Sequence, residues 1–255
     1  MACQRPFAVV ISLLFCFAPH ALGSTIVVPN AQASAVGDDN SGSLVGNQGS
    51  LEVQIDVGPG QFSSLPGPIE ITGFSFRAEP GTGPVDVTIG NLSISLSTSP
   101  NYPNSTGHPL MSATFANNVG PDVTPVFSGN NVTITSPGCA VVGTTPCAFG
   151  PTTLFTTPFF YNPMVGPLLL DLSITDFVGI SGEWDVETYS APGGGIASVV
   201  GPLGSPTGTF QYSDNIVQLT YNSVPEPATW MTTTAGVILA WAFIRLLSTR
   251  RSSRS

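Results

Sequence analysis

The chain has 255 residues, a formal net charge of −9, 42% hydrophobic residues and only 8% charged ones. A chain this apolar is unlike the polar, highly charged sequences that stay disordered, and it is long enough to bury a core of its own. It contains no lysine, which removes Schiff-base and lysine-base chemistry, and between Ser24 and Val224 it sets 14 acidic residues against one base, Arg77. The resulting net charge of −13 repels phosphate backbones, so nucleic acid is excluded as a partner.

The first element is an address. Arg5 supplies a short positive segment, and Phe7 to Ala18 form an apolar run of signal-peptide length. Ala21 and Gly23 sit at the small-residue positions before a cut ahead of Ser24. Residues 1–23 are therefore read as a secretory signal peptide. The run is too short to favour a retained anchor, and Cys16 lacks the small preceding residue of a lipoprotein cut, having Phe15 there.

From residue 24 to 223 the pattern is of short strands. Leu51–Val57 alternates Leu51, Val53, Ile55 and Val57 with Glu52, Gln54 and Asp56, the period-two signature of a half-buried strand. Similar runs follow at Ile69–Phe76, Val85–Ile89, Leu92–Leu96, Met111–Phe115, Val132–Thr135, Leu154–Tyr161 and Leu168–Ile174. Four more lie at Trp184–Tyr189, Ile196–Val200, Thr209–Tyr212 and Ile216–Tyr221. Gly, Pro, Asn and Ser clusters separate them, and no segment keeps helical periodicity over three turns. The expectation is one all-β domain, an antiparallel β-sandwich of jelly-roll type, with two smaller sandwiches divided near Pro137–Pro151 as the alternative.

Cys139 and Cys147 are the two cysteines left after signal removal. In an oxidising compartment they read as a disulfide closing a short loop, since their spacing fits neither a redox pair nor a zinc site.

Little in this region carries chemistry. His108 is the only histidine after the signal peptide and lies in a Gly/Pro turn, where it reads as a solvated residue. Glu183, Asp185 and Glu187 alternate, so on a strand they share a face. Three carboxylates so placed suit calcium or a glycosidase acid/base pair, but a plain solvated face, with Trp184, Val186 and Thr188 inward, is the favoured reading. Asp38, Asp39 and Asn40 form a polar turn that lacks calcium-loop spacing. No cofactor is assigned, with a structural Ca²⁺ in such a turn left open. Tyr102 and the Phe159–Pro163 stretch offer aromatic rings to a sugar, while core packing is the usual fate of Phe159 and Phe160. Asn91, Asn104 and Asn131 begin N-x-S/T triplets without consequence in a bacterial setting.

The last element is the most specific. Val224, Pro225, Glu226 and Pro227 spell VPEP. Ala228 to Ile244 is uncharged and apolar, and Leu246 and Leu247 extend it past a snorkelling Arg245. A transmembrane helix over 228–247 follows, with an Arg-rich tail, 248–255, that carries Arg250, Arg251 and Arg254. Together with Arg245 these set the cytoplasmic side and leave the body outside. The two prolines hold Glu226 in an extended segment that cannot join the helix.

Motif, helix and basic tail in this order, over the last thirty or so residues, resemble the PEP-CTERM sorting signal of Gram-negative bacteria. The resemblance implies recognition by an exosortase, a membrane transpeptidase-like enzyme that cuts near the motif, and a destination in the envelope or exopolysaccharide layer. The expected function is thus a non-catalytic exported surface or matrix protein, not an enzyme. A jelly-roll carbohydrate-binding module is the alternative, and a carboxylate-dependent glycoside hydrolase ranks below both.

Overall fold

The alternating apolar residues of Leu51–Val57 find their partners on both sides of the chain in space. In the computed structural model, which describes residues 23–38, 50–104, 109–139, 145–181, 186–188, 195–211 and 213–224, this segment is a strand with a neighbour on each edge. Twelve strands run in chain order among the described residues: β1 Ser24–Val28, β2 Leu51–Val57, β3 Ile69–Phe76, β4 Val85–Thr98, β5 Thr124–Ser136, β6 Thr153–Tyr161, β7 Leu168–Ser181, β8 Val186–Thr188, β9 Ile196–Pro202, β10 Thr209–Gln211, β11 Ser213–Asn215 and β12 Val217–Ser223. The helical turns among them are single 3-10 turns, as the Gly- and Pro-rich breakers dictate.

The strands form two antiparallel sheets, one ordered β1-β12-β3-β6 and one ordered β10-β9-β2-β7-β4-β5, with β8 and β11 as a separate ribbon. Ile26, Leu219, Phe74 and Tyr161 of the first sheet share a buried core with Val53, Ile55, Leu170, Leu172 and Ile94 of the second. The molecule is therefore all-β, with two sheets face to face as in a β-sandwich. Strands from both sides of Pro137–Pro151 enter both sheets, so the two-sandwich alternative falls.

Four expectations change. Val85–Ile89 and Leu92–Leu96 are one strand, β4, that crosses Gly90 without ending. There a Cβ would lie 2.5 Å from the Cβ of Asp176, so only glycine fits. Val132–Thr135 is the end of the longer β5. Met111–Phe115 is not a strand: it makes a single bridge, Thr114 to Thr207, and turns into a 3-10 segment at Phe115–Asn117. Its apolar residues alternate because Met111 and Phe115 plug the outer face of the six-stranded sheet beside Leu169, Ala197 and Val199. Finally, Ser24–Val28 is a strand that pattern reading passed over, being five residues long.

Arg77, the one base of the body, is 1% exposed. Its guanidinium donates to Gln32 O at 2.9 Å and Ala35 O at 2.6 Å and lies 5.4 Å from the Phe149 ring centroid. Exposed charge on the described residues is accordingly acidic: Asp38, Asp86, Asp122 and Asp176. No helix among the described residues is long and apolar enough to cross a membrane, and 228–247 lies outside them.

Candidate functional site: the chain-exit end and the polar network behind it

Both ends of the described body leave from one place. Ser24, the first residue of β1, pairs with Tyr221, and β12 ends two residues later at Ser223, opposite Ile69. The Val224 amide still donates to Pro68 O at 3.3 Å. Ile69 pairs in turn with Tyr161, the last residue of β6, which runs in the same direction as β12. At one strand spacing per neighbour, Ser223 and Tyr161 are about 10 Å apart. The 162–167 turn thus begins beside the point where the chain departs.

That turn is held. The Tyr161 hydroxyl is buried and donates to Gly166 O at 2.8 Å, while the Asn162 side chain accepts from the Met164 amide at 3.0 Å. Ser99 N–H donates to Pro167 O at 2.8 Å, which brings the 99–104 turn alongside.

Behind the 99–104 turn, residues 99–104 and 109–123 form a strap over the outer face of the six-stranded sheet. Gln54 and Asp56, read from sequence as solvent-facing, are both 0% exposed beneath it. Asn118 is the hub. Its Nδ2 donates to Gln54 Oε1 at 2.8 Å and Ser112 O at 2.9 Å, and its Oδ1 accepts from Asn101 Nδ2 at 2.8 Å and the Ser112 amide at 2.7 Å. Gln54 Nε2 donates onward to Asp171 Oδ2 at 3.1 Å. Ser99 Oγ donates to Asp56 Oδ2 at 2.7 Å, but Asp56 Oδ1 has no hydrogen-bond partner among the described residues.

Burial raises the Asp56 carboxyl to about 7, its bonds from Ser99 and Asn101 pulling back only in part. Burial also raises Asp171, against the bond from Gln54, and raises Glu52, which the Asp171 charge pushes further. The network fixes the strap and leaves its carboxylates shielded from solvent, an arrangement suited to holding a surface in shape. Sequence reading missed it because Gln54 and Asp56 obey the half-exposed alternation. The one available sign was the 25-residue length of 99–123, too long for a bare connection.

Between the strap and the β9–β10 hairpin opens a cleft of ≈ 270 Å³ walled by Pro109, Leu110, Met111, Ala197 and Phe210. Among the described residues its walls carry no ionisable side chain.

The residues singled out from sequence are scattered. Cys139 and Cys147 meet as a disulfide with Cα atoms 5.6 Å apart. Tyr102 is 71% exposed; Phe159 is in the core; Phe160, against the core expectation, is 56% exposed on the outer face of the four-stranded sheet. Asp38 is exposed, whereas Asp39 and Asn40 lie outside the described residues, as do His108, Glu183 and Asp185. Glu187 is described in backbone only, paired with Asp214. Among the described residues no group of three or more His, Cys, Asp or Glu side chains is placed to hold a metal. Of the sorting motif and the anchoring arginines, only Val224 is described. No family model, curated protein or solved structure matches the chain.

Proposed function

We propose that the chain is an exported, non-catalytic surface or matrix protein whose body, 24–223, is carried to the membrane and sorted through a C-terminal PEP-CTERM-type signal. One observation carries the reading. Among the described residues the first strand begins at Ser24 and the last ends at Ser223, beside the expected signal-peptide cut and the VPEP motif, and both lie at the same end of one sheet. A C-terminal helix fixes where the body meets the membrane, and the new N-terminus left by the cut ahead of Ser24 lies at that same end of the sheet. A strand that finishes just before two prolines leaves extended backbone for a processing enzyme. Within this reading the body is a jelly roll, supported by the strand order. β1-β12-β3-β6 stands opposite β2-β7-β4-β5, and β9 and β10 extend the second sheet.

Deleting Pro225 to Ser255 should leave export intact while the body is released from its envelope fraction. Retention of the truncated protein in that fraction at the full amount would refute the sorting role.

Phe160 favours glycan binding as a second reading. It stands out from the sheet face in a row with Glu70 and Asn222, an aromatic platform flanked by polar groups. Binding on a glycan array that disappears in Phe160→Ala would establish it.

A further inference from the structure

The exit end carries apolar side chains that the fold holds out into the open. Met164 is 91% exposed and Val165 56%, on the turn that starts about 10 Å from the departing chain. Both sit on fixed backbone: Asn162 O accepts from the Val165 amide at 3.0 Å, and Gly166 O accepts from the buried Tyr161 hydroxyl. Tyr102 stands on the neighbouring turn, which Asn101 anchors to Asn118. The three turns here, 63–68, 99–104 and 162–167, contain no charged residue, in a body with net charge −13. One residue into β3, Glu70 is half-buried on the sheet face beside Asn222 and Phe160, and the exposed Asp122 is occupied by the Thr98 amide at 2.8 Å and the Thr98 hydroxyl at 2.7 Å. At the opposite end of the same sheet the turn after β3 carries Arg77 and Glu79.

We propose that this uncharged end is a membrane-docking surface: Met164 and Val165, flanked by Tyr102, enter the interfacial layer of the bilayer that the C-terminal helix spans. The proposal rests on the tail reading above and adds a surface to it. Where the chain leaves decides the occupant. From Val224 to Ala228 is four residue steps, at most about 14 Å, so a helix beginning at Ala228 leaves no slack to hold the body off the lipid. Rigid turns with methionine, valine and tyrosine at their tips suit the interface, where an aromatic ring has one apolar and one wet side. A net acidic body gains nothing from anionic headgroups, so the interaction is apolar and insensitive to salt.

The full chain, with Cys3 and Cys16 changed to Ser and the Cys139–Cys147 disulfide left oxidised, is placed in phosphatidylcholine nanodiscs. An environment-sensitive dye is attached at one of three positions: Met164→Cys, Leu154→Cys or Val237→Cys. Leu154 is equally apolar and 66% exposed but lies seven residues back along β6, about 23 Å from the exit end. Doxyl lipids should quench the dye at 237 and at 164, the latter at least threefold more than at 154. Quenching at 237 with 164 no more quenched than 154 would overturn the docking surface and leave the tail reading standing. So would shielding of 164 from aqueous iodide without doxyl quenching, which would mean that protein, such as a second copy, covers the turn. No quenching at 237 would remove the tail reading, and the docking surface with it.

Discussion

Asp56 is where local pattern and tertiary structure part most sharply. A carboxyl held at about 7 in the fold and near 3.8 in the open chain favours folding when it is neutral. Its contribution is complete below the open-chain value, falls as pH rises between the two, and is gone above about pH 7. The swing is on the order of 4 kcal/mol. Asp171 and Glu52, also raised by burial, act in the same direction. The protein should therefore resist urea better at pH 5 than at pH 8. Asp56→Asn, which keeps an acceptor for Ser99 and cannot ionise, should flatten most of that difference; an unchanged pH slope would mean that Asp56 is not the group responsible. Nothing local in Glu52-Gln54-Asp56 distinguishes a solvated face from one covered by a strap that starts 43 residues further on, so this site was not legible from sequence.

The elements themselves were largely legible, because two-residue periodicity and Gly/Pro punctuation report a half-buried strand directly. β2, β3, β6 and β9 begin or end within a residue or two of where the alternation places them. The failures share a cause. Met111–Phe115 alternates as a strand does, but its apolar residues answer to Leu169 and Val199 below the strap instead of to a hydrogen-bonded neighbour. The strap's attachment can be tested at Asn118, 0% exposed and bonded to Gln54, Ser112 and Asn101. Asn118→Ala strands the Gln54 carbonyl and should cost about 2–4 kcal/mol in urea unfolding, with amides of 99–123 losing exchange protection ahead of the sheets. Cys139 and Cys147 both lie outside the strands and close a short loop, so replacing them by Ser should cost only about 2–3 kcal/mol and leave the strap unaffected. If the double variant failed to fold at all, the bridge would be holding more than its own loop.

At the scale of the molecule, pairing order was beyond sequence reading. β1 and β12, the first and last strands, lie side by side, and no periodicity records which distant strands will meet. Class was readable and topology was not. Yet that one pairing is what gives the two predicted addresses a common exit, because Ser24 and Val224 can be neighbours only when the chain closes on itself. It makes the first and last described strands of the body neighbours, with β1 needed in full to cover the edge of β12. A cut at Val28 or beyond would strip that edge, whereas the proposed cut ahead of Ser24 leaves β1 whole. The central claim, that the chain is exported, trimmed at its head and sorted by a removable tail, is met most directly by the intact mass of the protein recovered from its native envelope. The expected mass corresponds to a chain starting at Ser24 with its own C-terminus at or near Val224–Pro227. A full-length mass, Met1 through Ser255, on protein recovered from the cytosol would contradict it.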